Sequence, residues 1–257
     1  MFNHPNFIAL NSIVRKEISR YTRIWVQTLL PSSITMTLYF VIFGNLIGKR
    51  IGTMGGYSYM EFIVPGLIMM SVITNSYSNV VSSFFSSKFQ RSIEEMMVAP
   101  VPNVVILIGY VAGGVSRGML TGLIVTIVAL FFVDIEIHNP LIVITVVVLT
   151  STMFSLAGFV NAVFAKSFDD ISIVPTFILT PLTYLGGVFY SIALLPEFWQ
   201  KVSMINPVLY MVNAFRFGFL GTSDINIWVA LSLILFFIIT LASTAMYLLS
   251  RGIGLRS

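Results

Sequence analysis

The chain has 257 residues, of which 57% are hydrophobic and only 9% are charged. Soluble domains carry about 25% charged residues, so this composition excludes an ordinary soluble globule as well as a disordered chain. Five charge-free runs of 25 residues or more exceed the roughly 20 residues that a helix needs to cross hydrocarbon; they cover 24–48, 62–87, 137–165, 171–196 and 225–250. The chain is therefore predicted to be an all-α polytopic membrane protein.

The residue types also exclude several kinds of chemistry. The absence of cysteine rules out disulfides, zinc-thiolate sites, iron–sulfur clusters and thiol catalysis. The two histidines, His4 and His138, lie near the terminus and in a predicted outer loop, so neither a metal site nor a resident cofactor is expected. The excess of 14 Lys and Arg over 10 Asp and Glu is better explained by membrane topology than by binding of nucleic acid.

Residues 7–23 are predicted to form an amphipathic helix on the membrane surface. The cationic residues take one side of this helix, and apolar residues recur on the other at steps of three and four. The apolar positions are Phe7, Leu10, Val14, Ile18 and Tyr21. The alternative is that the charges between 15 and 23 merely flank the first span.

Six spans are predicted to follow, within a single transmembrane domain that covers residues 1–257. They lie near 24–47, 61–85, 104–133, 140–165, 171–190 and 225–249. Arg117 is the one cation inside a span, and we expect it to reach the interface or pair with a neighbour in preference to contacting a substrate. Glycines at 114, 118 and 122 surround it at four-residue spacing, a weak signal of close helix packing.

The distribution of Lys and Arg predicts the orientation, because these residues favour the cytoplasmic side. With the N-terminus inside, nine fall on the cytoplasmic side, namely Arg15, Lys16, Arg20, Arg23, Lys88, Arg91, Lys166, Arg251 and Arg256. Four fall outside, namely Lys49, Arg50, Lys201 and Arg216. Both termini are therefore expected in the cytoplasm.

The predicted cytoplasmic loop 86–102 carries the clearest docking signal. Ser92 and Glu95 match a capping box that would begin a short helix, and Pro100 would end it. Ile93, Met96 and Met97 then share one face with Glu94 and Glu95 beside them, an arrangement suited to a groove on another protein. The alternative, a helix that rests on lipid headgroups, fits poorly with two acidic residues.

The stretch from 191 to 224 is only patchily apolar and is predicted to be re-entrant. Its charge-free part, 202–215, has 14 residues and is too short to cross. Irregular backbone in a membrane needs protein or water around it, which suggests a lid over a pathway. The residues assigned to this lid are Gly187, Phe189, Pro196, Asn206, Pro207 and Arg216.

The sequence contains no motif for ion-coupled transport or for ATP hydrolysis. Acidic residues sit at span ends, which argues against a proton- or sodium-coupled carrier. The fragment Gly44–Lys49 has three residues between its glycines where a phosphate-binding loop has four, and it lacks the following Ser or Thr. We expect a non-enzymatic chain that cannot hydrolyse ATP by itself.

Taken together, three segments resemble the type-2 ABC exporter permeases, in particular the YadH-type inner-membrane permeases of Gram-negative bacteria. They are Glu94-Glu-Met-Met-Val-Ala-Pro100, Leu185-Gly-Gly-Val-Phe189 with Leu195-Pro196, and Asn206-Pro207 with Arg216. The similarity covers essentially the whole chain. One departure is Ser191, where many relatives have proline.

The resemblance implies a bacterial inner-membrane permease that pairs as a homodimer among membrane lipids. Two copies of a separate ABC ATPase subunit, which carries ATP and Mg, would bind it, and the substrate would be a lipid, glycan or drug. The residues implied to contact the ATPase are Ser92, Ile93, Glu94, Glu95, Met96, Met97, Pro100, Lys166 and Asp169. Candidates on the route are Tyr39, Asn75, Asn79, Thr180 and Tyr184, although each could equally form interhelical hydrogen bonds. A gated channel and an ATPase-independent scaffold remain alternatives.

Overall fold

The computed structural model describes residues 4–134 and 136–254, without the side chains of residues 4, 45, 46 and 49. Arg256 and the side chains of His4 and Lys49, named above, therefore lie outside the described part of the chain. The α-helices are α1 (His4–Arg23), α2 (Trp25–Thr28), α3 (Leu30–Tyr39), α4 (Gly48–Ile51), α5 (Tyr59–Phe89), α6 (Ser92–Val98), α7 (Asn103–Ala129), α8 (Pro140–Phe164), α9 (Asp170–Val174), α10 (Thr180–Tyr184), α11 (Glu197–Met204), α12 (Pro207–Leu220) and α13 (Ile227–Arg251). Two π-helical segments (Phe40–Ile47 and Pro175–Leu179), a 3₁₀ turn (Ile192–Leu194) and a hairpin of β1 (Thr53–Met54) and β2 (Tyr57–Ser58) complete the fold.

The centre of the bundle is α5, most of whose residues are buried among other helices. It packs against α7 and α8, and α12 covers part of its remaining surface. A capping box begins the helix: Ser58 Oγ accepts from the Glu61 amide at 3.3 Å, and Glu61 Oε2 accepts from the Ser58 amide at 2.7 Å. By contrast, α13 is largely exposed, which suits a helix at the lipid-facing periphery.

Within the described residues, five helices are long and apolar enough to cross a membrane. They are Trp25–Gly44, Tyr59–Phe89, Asn103–Ala129, Pro140–Phe164 and Ile227–Arg251, close to predicted spans one to four and six. Predicted span five is shorter than expected. It consists of three five-residue pieces from Asp170 to Tyr184, about 22 Å long at 1.5 Å per residue, against about 30 Å of hydrocarbon. The count of six spans stays a prediction.

The glycines of α7 allow close packing on two sides, as their spacing predicted. A Cβ at Gly114 or Gly118 would overlap serine hydroxyls of α5 or α8, and a Cβ at Gly122 would lie 2.9 Å from Val72. A second pair, Gly109 and Gly113, admits the side chains of α1. Small residues in α7 therefore bring α1, α5 and α8 close to one helix.

The segment before α13 contains α11 with eight residues and α12 with 14 residues. Neither is long enough to span hydrocarbon, which agrees with the length argument for a re-entrant segment. Asn206 begins α12, since its Oδ1 accepts from the Val208 amide at 2.9 Å and Pro207 occupies the first turn. Pro196 occupies the N-cap position of α11, as Asn206 does in α12.

Candidate functional site

Two of the segments predicted to face the ATPase, the loop 86–102 and the turn 166–170, meet at one end of the bundle. The ring of Phe168, in the turn 166–170, contacts Phe85 and Phe89 of α5 at centroid distances of 4.9 and 5.2 Å. Lys88 Nζ donates to the carbonyl oxygens of Val163 and Ala165 at 2.6 and 2.7 Å. A cation at these terminal carbonyls stabilises the end of α8 and fixes the turn beside the loop that carries α6.

The helix predicted from Ser92 is present as α6, but its apolar face points inward. Ile93 is fully buried, and Met96 and Met97 pack against the core of the same chain. The prediction that these three side chains form an exposed ridge is therefore wrong for Ile93, while Met96 and Met97 remain partly exposed. Only Gln90 and Arg91 separate α6 from α5, so the short helix folds its apolar side back onto the bundle. Glu94 is half-buried, and Glu95 and Pro100 are exposed.

The predicted capping box of α6 is also wrong. The helix has no side-chain cap, and the Ser92 hydroxyl donates instead to the Ser87 carbonyl at 3.1 Å. The residue at the N-cap is Arg91, whose φ of 59° is the one positive value of a non-glycine residue in the described part of the chain. The left-handed turn at Arg91 moves Ser92 into the first turn of the helix, where its hydroxyl no longer faces the free amides. Such backbone strain is concentrated at functional sites.

The turn 166–170 is held by a residue that the sequence did not single out. Asp170 accepts hydrogen bonds from the amides of Lys166 and Ser167 at 2.8 and 3.1 Å, and the Ser167 hydroxyl accepts from the Asp170 amide at 3.2 Å. These amide and hydroxyl donors hold the pKa of the Asp170 carboxyl below its ordinary value. Lys166 and Asp169 are exposed beside this turn.

Sequence reasoning missed the exposed apolar residues at this end. Val98 is 87% exposed, Phe89 is 64% exposed and Phe168 is 51% exposed. A phenylalanine inside the polar turn Lys-Ser-Phe-Asp-Asp is a signal that could have been used for Phe168. We define the docking face as these three residues together with their charged neighbours, Arg91, Glu95, Lys166 and Asp169.

A second group of candidates meets on the flank of the bundle. The hydroxyls of Tyr39 and Tyr184 lie 3.0 Å apart. The ring of Phe189 stacks on Tyr184 at 5.8 Å and contacts Phe43 at 4.9 Å. We call these four residues the aromatic cluster. The first π segment follows Tyr39 directly, and the second ends just before Thr180, which is exposed; π segments often occur at functional sites.

The remaining route candidates, Asn75 and Asn79, are buried and bonded within the chain. Asn75 Nδ2 donates to Ser32 at 2.8 Å, and Asn75 Oδ1 accepts from Arg117 at 3.0 Å. Arg117 also donates to the Thr28 carbonyl at 2.9 Å. For Asn75, these contacts are interhelical hydrogen bonds, which was the alternative to a place on the route. The same contacts pair Arg117 with Asn75 inside the bundle.

Asn79 belongs to a polar row that joins α1 to α5. Arg20 donates to Asn79 Oδ1 at 2.8 Å, Glu17 accepts from Ser83 at 2.5 Å, and Lys16 donates to Ser87 at 3.4 Å. Glu17 is fully buried and pairs with Arg20 at 3.3 Å. Along α7, the Tyr21 hydroxyl donates to Ser116 at 3.2 Å.

The predicted lid residues tie the segment 191–224 to the end of α10. Arg216 Nη2 donates to the Gly187 carbonyl at 2.6 Å, and Asn206 Nδ2 donates to the Leu182 carbonyl at 2.6 Å. Phe189 lies in the aromatic cluster. The segment is thus anchored beside the cluster at two points.

Comparison with known proteins decides the family. Residues 9–220 match the model of the family described as ABC-2 type transporter. The chain belongs to the ABC-2 type transporter family. It is 60% identical over 254 residues to the inner membrane transport permease YadH of Escherichia coli strain K12, covering 99% of each chain. It is also 23% identical over 238 residues to nodulation protein J of Rhizobium leguminosarum bv. viciae, covering 91% of this chain and 92% of that protein.

Membership in the ABC-2 family fits the helices described above. The chain is a permease subunit of an ABC transporter and a multi-pass inner-membrane protein. Permease subunits of the ABC-2 family work with an ABC ATPase partner and are typically not enzymes themselves. The resemblance derived from the residues is confirmed.

Proposed function

We propose that this chain is the permease subunit of an ATP-driven exporter of a lipid, glycan or drug-like substrate. Two copies pair to form the route, and two copies of a separate ABC ATPase, which holds ATP and Mg, bind at the docking face. The observation that carries the proposal is that the turn 166–170 packs against the end of α5 that leads into α6, with three apolar side chains exposed at this end of the bundle.

The composition of the docking face supports a protein partner. Exposed apolar side chains rimmed by charges of both signs are typical of interaction sites. The same end of the bundle holds Lys88, Arg91, Lys166 and, at the end of α13, Arg251, because Gly254 lies against the Val163 carbonyl. By the positive-inside rule, these cations support a docking face in the cytoplasm, where ATP is available.

The buried side of α6 offers a way to transmit force. Since Ile93 is fully buried against the bundle, a push on α6 is passed to α5. The contacts of α5 with α7, α8 and α12 carry the movement across the whole bundle. Ile93 therefore acts in transmission, and Val98 and Glu95 are the residues of α6 that face the partner.

The aromatic cluster marks the proposed route. The Trp25–Gly44 helix is mostly exposed within one protomer, as is the helix through Pro175–Leu179. A second copy set against this flank would enclose the cluster and give the permease its homodimer. The hydroxyls of Tyr39 and Tyr184 and the exposed Thr180 would contact the substrate there, and the anchored outer segment would form a lid.

The test is co-expression of the tagged chain with the ABC ATPases of its source organism, followed by purification and reconstitution in liposomes. We expect a Walker-motif ATPase to co-purify and its ATP turnover to depend on this chain. Solute flux without ATP would favour a gated channel, and no effect on any ATPase would favour a scaffold. Either result would contradict the proposal.

A further inference from the structure

A cavity of about 460 Å³ lies between the β1–β2 hairpin and the outer segment 191–224. Its size falls in the range of small-molecule sites, roughly 300–1,000 Å³. The hairpin is fixed in place, because the Tyr57 hydroxyl donates to the Leu220 carbonyl at 2.5 Å. The cavity is therefore built into the fold and is separate from both the docking face and the aromatic cluster.

Arg216 lines this cavity and is only 1% exposed. One nitrogen, Nη2, donates to the Gly187 carbonyl at 2.6 Å, and the guanidinium lies 3.9 Å from the centroid of the Phe62 ring. The other two nitrogens, Nε and Nη1, have no hydrogen-bond partner among the described residues. They carry three N–H groups between them, so a buried cation is left with unused charged donors.

No carboxylate in the described part of the chain neutralises Arg216 directly, since none lies within ion-pair distance of it. Asp224 lines the same cavity, and its carboxylate accepts hydrogen bonds from two other groups. They accept from the Ser191 hydroxyl at 2.8 and 2.9 Å and from the Ile192 amide at 3.2 Å. The guanidinium thus has no anion bonded to it within the described part of the chain.

We propose that this cavity binds a phosphate group through Arg216. A guanidinium with free N–H groups in a desolvated pocket is suited to phosphate, since charge-assisted hydrogen bonds are among the strongest in proteins. The rest of the cavity has room for the glycerol or sugar that carries the phosphate. The phosphate belongs to a lipid headgroup or to a free phosphate compound, and the experiment separates these sources.

The experiment follows the melting temperature of the purified chain in a neutral detergent during titration with three probes. They are inorganic phosphate, phosphatidylglycerol and a neutral glycolipid without phosphate. A ligand that binds the folded protein raises its melting temperature. We expect a rise with at least one phosphate probe and none with the glycolipid. A rise with phosphatidylglycerol alone identifies the lipid headgroup, and a rise with both identifies the phosphate group itself.

Two variants connect the effect to the cavity. Asp224→Asn removes a neighbouring negative charge from an exposed residue, so the half-saturating phosphate concentration should fall at least threefold. Arg216→Gln should abolish the rise, and Lys201→Gln, an exposed cation of α11 outside the cavity, should leave it unchanged. The proposal is overturned if wild type shows no rise, if the glycolipid matches phosphatidylglycerol, or if Asp224→Asn leaves the concentration unchanged. This outcome does not depend on the ATPase, so it can fail while the proposed function stands.

Discussion

Glu17 accepts a 2.5 Å hydrogen bond from Ser83, and both side chains are buried. The bond joins α1 to α5, the helix that leads directly into α6. Arg20 and Asn79 continue the connection one turn further along both helices. The N-terminal helix is therefore bound to the helix that we propose transmits force from the ATPase.

The first prediction concerns this connection. Glu17→Ala removes the acceptor of Ser83 and the ion-pair partner of Arg20, leaving buried donors unsatisfied at a cost of about 1–3 kcal/mol. Glu17→Gln should lose less, because its amide oxygen can still accept from Ser83. Unfolding of the purified chain in detergent measures both. Glu95→Ala, at an exposed position of α6, is the matched control, and equal stability of Glu17→Ala and this control would contradict the prediction.

The second prediction concerns helix packing. A Cβ at Gly158 would lie 2.6 Å from the backbone carbonyl of Tyr77, which cannot move without shifting α5. Gly158→Ala should lower the free energy of unfolding by about 1–3 kcal/mol, as overpacking does elsewhere. Gly44→Ala meets only the flexible end of Met60 and should lose less. We expect the melting temperature of Gly158→Ala to be lower than that of Gly44→Ala, and the reverse order would contradict the prediction.

The third prediction concerns pH. Hydrogen bonds to the Lys166 and Ser167 amides hold the pKa of Asp170 below its ordinary value of 3.8. Its stabilisation of the turn is therefore fully present above that value and is lost as the pH falls through the lowered pKa. Hydrogen exchange at these two amides, corrected for intrinsic rates, should show protection near pH 5 that Asp170→Asn weakens. Equal protection in the variant would show that the carboxylate does not hold the turn.

The fourth prediction concerns orientation, and the chain has no cysteine to interfere. A single cysteine in place of the exposed Thr222 should react with an impermeant thiol reagent in intact cells, after permeabilisation of the outer membrane. One in place of the exposed Glu95 should react only after the inner membrane is also opened. The reverse pattern would place the docking face outside the cell and exclude contact with an ATPase.

The sequence predicted the spans well because long apolar runs leave few alternatives. Span five was less predictable, since Pro175 and Pro181 are compatible with a helix while Gly186 and Gly187 end it early. The burial of Glu17 escaped prediction because its partner Ser83 is 66 positions away. Whether the side chain of Ile93 faces inward depends on the residue at which α5 ends, and no local pattern in the loop predicts that residue.

A single substitution at Val98 tests the central claim, because Val98 is the most exposed apolar residue of α6. Ile93→Asp is unsuitable alone, since it would place a charge in the core of the permease and lower its own stability. Val98→Asp would bury an unpaired carboxylate only in the complex, at a cost of several kcal/mol.

The decisive measurement is therefore the amount of ABC ATPase that co-purifies with the Val98→Asp chain, relative to wild type at equal permease yield. Since each 1.4 kcal/mol corresponds to a tenfold change in affinity, we predict at least a tenfold loss with an unchanged melting temperature of the permease. Full recovery of the ATPase by the folded Val98→Asp chain would contradict the docking face and the force transmission derived from it.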